Sequence, residues 1–302
     1  MREAQMIEGI IVKALSGFYY VAAEGRVIDC RARGRFRLDG SSPLVGDRVQ
    51  CSLDENGKGR VDRVHERKNW FIRPAVANID TLVFIAANTN PVTDPFLVDR
   101  FSVIAAEAGC ELVVCVNKTD IDPGDRLCEI FANAGFPVVR TSAETGAGMD
   151  ELLSHLRGKI SAFSGNSGVG KSSILNALLP DAHIKTGEVS EKLGRGKHTT
   201  RHVELYSLGG DTYIADTPGF ASLDVMMTNA ILKENLQYDF PDFEPYLGKC
   251  RFHDCAHLKE PGCAVTAAVA AGEIGESRYA SYVRLYEMSA QHKFWEYNTK
   301  TQ

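Results

Sequence analysis

Residues 165–172 read G-N-S-G-V-G-K-S, and no other stretch narrows the possible folds as far. The spacing is G-x-x-x-x-G-K-[ST], in which glycines let backbone N–H groups turn inward around phosphate oxygens. Gly165, Asn166, Ser167, Gly168, Val169 and Gly170 form that cradle, Lys171 reaches the outer phosphates, and the Ser172 hydroxyl is placed to ligate Mg²⁺. Ser173 opens the run S-I-L-N-A-L-L, which is helical in character, so a helix dipole points at the same anion. Residues 160–164 supply the short strand that the motif needs. The plain alternative is a glycine-rich turn before an ordinary helix; the strand and helix context argue against it.

A chain of 302 residues has room for two or three domains, and 44% apolar with 24% charged residues is ordinary for a globular protein. No run of 18 apolar residues is present, so no membrane span is expected. The start, M-R-E-A-Q-M, has no apolar core followed by a small-residue cleavage site, which points to a cytoplasmic protein. Cys30, Cys51, Cys110, Cys115 and Cys128 are scattered, several in apolar strand-like runs, and read as buried thiols in a reducing compartment. Cys250, Cys255 and Cys263 instead cluster with histidines.

Residues 1–68 lack helical periodicity. Short strand-like runs at 9–12, 17–21, 27–37 and 46–49, with Asn56-Gly57 as a hairpin signal, suggest a small barrel of the OB or SH3-like type. Arg31, Arg33, Arg35 and Arg37 alternate and would share one strand face. From Met1 to Arg73 there are 14 Lys and Arg against 10 Asp and Glu, whereas the whole chain carries −5. A basic barrel on an acidic protein suggests a nucleic-acid surface; a solvated edge strand blunted by charge is the other reading.

Residues 69–74 read as the crossing into the next domain, and from residue 80 the pattern becomes alternating strand and helix. Residues 81–86 and 111–116 are continuous apolar runs, as buried parallel strands are, with helical spacing between them at 96–108. The second run leads into Asn117-Lys118-Thr119-Asp120. An Asp at a strand's C-terminal end can accept from both the ring N–H and the exocyclic amine of guanine, a pair that adenine lacks. Asn117 would fasten this turn to the phosphate loop, and the Lys118 stem would cover the purine face. A further strand at 137–140 ends at Ser142-Ala143, which resembles the S-A element that meets the guanine carbonyl. Downstream of the phosphate loop, G-R-G-K-H-T-T at 194–200 sits where a first switch belongs, and either Thr199 or Thr200 would meet Mg²⁺ and the γ-phosphate. Two strands at 202–207 and 211–215 end in D-T-P-G, where Asp216 supports Mg²⁺ and the Gly219 N–H meets the γ-phosphate.

Five elements are present in a rotated order, with N-K-x-D ahead of the phosphate loop and both switches. With G-N-S-G-V-G-K-S-S, N-K-x-D, G-R-G-K-H-T-T and D-T-P-G-F in that order, the chain resembles the ribosome small-subunit-dependent GTPase A family of bacteria over essentially its whole length. The resemblance implies an OB-fold barrel at 1–68 that touches 16S rRNA and a circularly permuted α/β P-loop GTPase domain at 69–222. It further implies a mostly helical zinc-binding module at 223–302. It also implies GTP hydrolysis to GDP stimulated by the 30S subunit, a role in late maturation of that subunit, and a monomer without membrane contact. A GTP-dependent RNA-binding regulator that does not act on ribosomes is the main alternative; a zinc-stabilised ATPase is a weaker one.

The cluster Cys250-x4-Cys255-x-His257-x5-Cys263 offers three thiolates and an imidazole, which suit a closed tetrahedral Zn²⁺ site. His253 competes as the nitrogen ligand, and a disulfide or a redox thiol cluster remain open; the family pattern implies Cys250, Cys255, His257 and Cys263. The segment 277–288 carries Arg278, Tyr279, Tyr282, Arg284 and Tyr286, for RNA contact or for packing against the zinc module. Phe220 follows D-T-P-G where many GTPases place a glutamine that orients the attacking water. His198 is the candidate replacement within the chain, and the ribosome is the candidate outside it.

Overall fold

The computed structural model describes residues 5–34, 36, 42–55, 57–179, 203–216, 226–227 and 233–291. They fall into two compact units, one drawn from Met1–Thr81, Leu156–Ser164 and Leu175–Thr228, the other from Leu82–His155, Gly165–Ile174 and Asn229–Gln302.

In the first unit, β1 (Gln5–Leu15) pairs antiparallel with β4 (Arg48–Leu53) along its first half and with β2 (Phe18–Ala23) along its second. A register shift between Ile11 and Lys13 lets one strand serve both neighbours. β2 pairs antiparallel with β3 (Arg26–Ala32), β3 pairs parallel with β5 (Gly59–Val64), and β5 returns antiparallel to β4. The circuit β1-β2-β3-β5-β4-β1 is a closed five-stranded barrel of the OB type, which removes the SH3-like alternative. Alternation along the strands fills its interior with Ile11, Val21, Cys30, Val49, Cys51 and Val61, all at most 1% exposed. The expected row of arginines is corrected here: β3 ends at Ala32, so Arg33 leaves the strand and pairs instead with Asp62 at 2.6 Å. Arg31 stays on β3 and lies over the Phe18 ring; Arg35 and Arg37 lie outside the described residues.

The stretch after the barrel is tied down rather than loose. Arg67 forks onto the fully buried Asp47, with Nε donating to Oδ1 at 2.7 Å and Nη2 to Oδ2 at 2.8 Å. Asn69 exchanges two hydrogen bonds with the Ile79 backbone, and the Asn78 amide donates to Gly46 O at 3.0 Å. Between them β6 (Trp70–Arg73) and β7 (Ala75–Ala77) form a small antiparallel sheet, to which β14 (Met226–Met227) adds on the outer side of β6. The same unit holds β11 (Ile160–Gly165), parallel to β13 (Thr212–Asp216), which pairs antiparallel with β12 (Glu204–Gly209). β12 meets β1 at Lys13↔Glu204, a pair joined also by a 3.0 Å salt bridge.

The second unit carries strand order β10-β9-β8: β8 (Thr81–Ala87), β9 (Glu111–Asn117) and β10 (Val138–Arg140). β8 is buried along its whole length, as its unbroken apolar run requires. The helices of this unit are α1 (Pro95–Glu107), capped by the Asp94 carboxylate on the Phe96 N–H, then α2 (Asp125–Asn133), α3 (Met149–Leu156) and α4 (Lys171–Leu178), whose last four residues belong to the first unit. The C-terminal part folds as two 3-10 turns, Leu236–Tyr238 and Pro241–Tyr246, followed by α5 (Ala264–Ala270) and α6 (Glu276–Gln291). Leu236, Phe240, Phe243, Val265, Tyr282 and Leu285 pack there on one another and on Phe96 and Val103 of α1.

Arg278 of α6 lies inside this core, 1% exposed. Its Nη1 donates to Asp99 Oδ1 of α1 at 2.6 Å, and its Nε and Nη2 fork onto Asp242 at 3.2 and 2.8 Å. Tyr279 and Tyr282 donate their hydroxyls to backbone carbonyls at 256–258. Of the two readings of this helix, packing against the C-terminal module is the one these three side chains follow. Burial pushes the Asp99 carboxyl up and Arg278 opposes it, so losing the arginine strands a buried carboxylate. Arg278→Ala is expected to cost about 3–5 kcal/mol in chemical denaturation, and Asp242→Asn less, because Asp99 keeps its partner.

Candidate nucleotide site and metal centre

The phosphate loop leaves β11 at Gly165, with φ +148°, and enters α4 at Lys171. Gly168 and Gly170 have φ of +84° and +94°, conformations that glycine adopts without strain. Gly170 has a second reason to lack a side chain, because a Cβ there would run into Asn117 Nδ2. Val169 is fully buried, while Ser167 and Gly168 are exposed at the turn. Lys171 and Ser172 are half-buried at the start of α4, and Ser173 follows them.

The N-K-x-D turn stands at the end of β9. Asn117 is 2% exposed and uses both ends of its carboxamide. Nδ2 donates to Val169 O at 2.9 Å, and Oδ1 accepts from the Ala143 N–H at 3.2 Å and from Thr141 Oγ1 at 3.3 Å. The phosphate loop, the N-K-x-D turn and the Ser142-Ala143 turn therefore meet on one side chain. Lys118 takes φ +65°, and its ammonium donates to Asn90 O at 2.6 Å. Thr119 donates twice to Thr141 O. The exposed Asp120 carboxylate accepts from Ser142 Oγ at 2.6 Å. His198, Thr199, Thr200 and Gly219 lie outside the described residues, as does Phe220. Asp216 closes β13, its backbone in register with Glu204.

In the C-terminal module, Cys250, Cys255, His257 and Cys263 bring their ligand atoms within 4.8 Å of one another. His253 is not part of that group. Cys250 Sγ lies 3.9 Å from Cys263 Sγ, and His257 Nδ1 lies 3.5 and 3.4 Å from these two sulfurs. A tetrahedral centre with bonds of about 2.3 Å to sulfur and about 2.0 Å to nitrogen has edges of about 3.8 and 3.5 Å, so the donor set fits a small divalent cation. The cysteines are free thiols, not a disulfide. His257 Nε2 meets Gln237 Oε1 at 2.8 Å, which fixes the proton on Nε2 and turns the Nδ1 lone pair toward the thiols. Burial lowers the His257 pKa and keeps the ring neutral, although nearby Glu260 opposes it. Burial also pushes the Cys255 thiol up to about 12, a cost that a cation would reverse. Glu260 is itself opposed by burial, yet N–H donors of Ala256, Leu258 and Lys259 hold its carboxyl below its usual value. It shapes the turn that presents His257. The Cys250 and Cys263 sulfurs accept from the Ala264 and Thr266 N–H groups.

The order of these motifs on this fold defines the class: a circularly permuted P-loop GTPase. Residues 64–226 match the RsgA GTPase family and residues 8–61 the RsgA N-terminal domain. A protein named "Small ribosomal subunit biogenesis GTPase RsgA" from Caldanaerobacter subterraneus subsp. tengcongensis is 45% identical, with 93% of this chain and 95% of that protein covered. One of the same name from Geobacillus kaustophilus is also 45% identical, over 92% and 96%. The crystal structure of YjeQ from Thermotoga maritima superposes with TM-score 0.81 at 37% identity, covering 96% of this chain and all of that one. That of YloQ, described as a circularly permuted GTPase, gives 0.79 at 36%, covering 97% and 98%. The chain belongs to the RsgA GTPase family.

Sequence reasoning passed over Gln237, twenty residues from the histidine it orients and of a type with no ligand signature. Gln237→Ala is expected to weaken divalent-metal affinity by about 10–100-fold in competition with a chromophoric chelator, with nucleotide affinity unchanged.

Proposed function

We propose that the chain binds GTP and hydrolyses it to GDP and phosphate in the biogenesis of the small ribosomal subunit, the role that its relatives' names state. The observation that carries the nucleotide reading is the Asn117 carboxamide, which joins the N-K-x-D turn to the phosphate loop. Asp120 reads the guanine edge, with Lys118 over the base and Thr119, Ser142 and Ala143 shaping the pocket. Gly165 to Ser173 cradle the phosphates, and Lys171 stabilises charge on the outer ones. Ser172, Asp216 and one of Thr199 and Thr200 hold Mg²⁺, which neutralises charge on the phosphate oxygens. The Gly219 N–H senses the γ-phosphate. With Phe220 after D-T-P-G, intrinsic turnover is slow until His198, or a group on the ribosome, orients the attacking water.

The reading extends to the rest of the chain as three domains, 1–68, 69–222 and 223–302. The barrel at 1–68 contacts 16S rRNA, and the Cys/His cluster holds one structural Zn²⁺, whose four protein ligands leave no open position. The protein works as a cytoplasmic monomer. Among the described residues no helix is long and apolar enough to cross a membrane.

Lys171→Ala is expected to lower kcat by about 10²–10³-fold. Asp120→Asn should weaken GTP by at least about a hundredfold and favour xanthosine triphosphate, whose ring carbonyl accepts from the new amide. Unchanged GTP affinity in Asp120→Asn would mean that the guanine pocket lies elsewhere. Co-sedimentation with isolated 30S subunits in the presence of a non-hydrolysable GTP analogue tests the partner. A protein that binds GTP and free RNA but stays in the supernatant would be a regulator acting away from ribosomes. Elemental analysis of freshly purified protein should find one zinc per chain, and Cys255→Ser should destabilise the C-terminal module while sparing nucleotide binding.

A further inference from the structure

The loop from β8 to α1 belongs to none of the nucleotide motifs, yet it touches two of them. Thr93, 1% exposed, closes it: its N–H donates to Ala87 O at 2.8 Å and its hydroxyl accepts from the Ala87 N–H at 2.9 Å. The residues between are thereby held in a short, fixed excursion. Asn88 Nδ2 donates to Asp122 Oδ1 at 2.9 Å. The same oxygen accepts from the Gly124 N–H at 2.8 Å, and the Asp122 N–H donates back to Lys118 O at 3.1 Å. Asp122 thus closes the turn 118–124, in which Asp120 stands between two pinned residues. Two positions on, Asn90 O takes the Lys118 ammonium. Pro91 then reaches the phosphate loop, its Cδ 3.2 Å from where a Cβ on Gly168 would sit.

We propose that Asn88 is a positioning residue for guanine recognition, holding the turn that carries Asp120 in place through Asp122. The inference rests on the GTP reading given above. Asn88 does not reach the base. Its amide removes one way for the 118–124 turn to rotate, and Asp120 then presents both carboxylate oxygens to the two N–H groups of guanine without first being ordered. Hydrogen bonds from Asn88 and from the Gly124 N–H also hold the Asp122 carboxyl below the usual carboxylate range, which fits a clasp that works in its charged form.

Inosine triphosphate separates positioning from general support, because it lacks the exocyclic amine and so offers Asp120 a single bond. In Asn88→Ala, GTP affinity is expected to fall about tenfold and ITP affinity by about threefold or less, so that the GTP/ITP ratio narrows. The phosphate machinery is untouched, so KM rises while kcat at saturating GTP stays within about twofold. Asn88→Asp sets two carboxylates together and should lose more. Adding Asp122→Asn to it removes one of the two facing charges and should recover part of the lost GTP affinity and of the ratio.

Equal losses for GTP and ITP together with a lowered melting temperature would reduce Asn88 to a packing role and overturn the proposal, as would an unchanged ratio. Were the single variants not to fold, a folded double variant without GTP/ITP discrimination would overturn it equally. If the unmodified protein itself shows no preference for GTP over ITP and ATP, the guanine reading has failed first, and that result is separate from any effect at Asn88.

Discussion

A primary amide has one acceptor and one donor group, and the nucleotide half of this protein is arranged around Asn117, which uses both. The donor end reaches the carbonyl of Val169 and the acceptor end collects Thr141 and Ala143. Three turns that leave three different strands are brought together by a residue 2% exposed, where an unpaired amide would be costly. The bond requires close backbone approach, and that is why residue 170 carries no side chain. None of this depends on which motif comes first in the chain. Rotating the order moves the covalent connections and leaves the amide with the same neighbours, so the rearranged sequence still builds one site.

The C-terminal module rests on a different principle. Its apolar core of Leu236, Phe240, Phe243, Val265, Tyr282 and Leu285 is braced by polar contacts that reinforce one another. Three thiols and an imidazole converge, the hydroxyls of Tyr279 and Tyr282 hold the carbonyls of the 256–258 turn, and Arg278 reaches from the same helix to Asp99. The helix that braces the Cys/His turn therefore also anchors the module on α1. A buried arginine with two carboxylates is not an economical way to gain stability, since apolar residues often do as well. Its geometry does fix one angle and register for α6, because a planar fork has few equivalent placements.

Much of the architecture was legible because it follows from local pattern. The apolar runs of β8 and β9, the loop G-N-S-G-V-G-K-S and the spacing of the cysteines are signals contained within a few residues. What escaped depends on distant or unmarked partners. α2 was missed because its start lacks a side-chain cap: Gly124 stands at the N-cap in a left-handed conformation. The arginine row failed because alternation is a property of sequence, while the strand stops at Ala32. The strands β6 and β7 read only as a crossing between domains, since strands of four and three residues with Pro74 between them show no period. Gln237 and Asn88 are generic polar residues whose meaning appears only when the side chains they orient are in view.

The shared strand β1 has a consequence for how the chain can be divided. Family boundaries fall near residue 61, but the sheet does not stop there, because Lys13 of the barrel pairs with Glu204 of β12. A barrel expressed by itself would present the outer side of β1 to solvent as an open edge beside a stranded lysine, and the remaining protein would carry the complementary edge along β12. Open edges of this kind recruit other chains. Separating the two pieces would therefore leave a short unpaired edge at Lys13 on one and at Glu204 on the other.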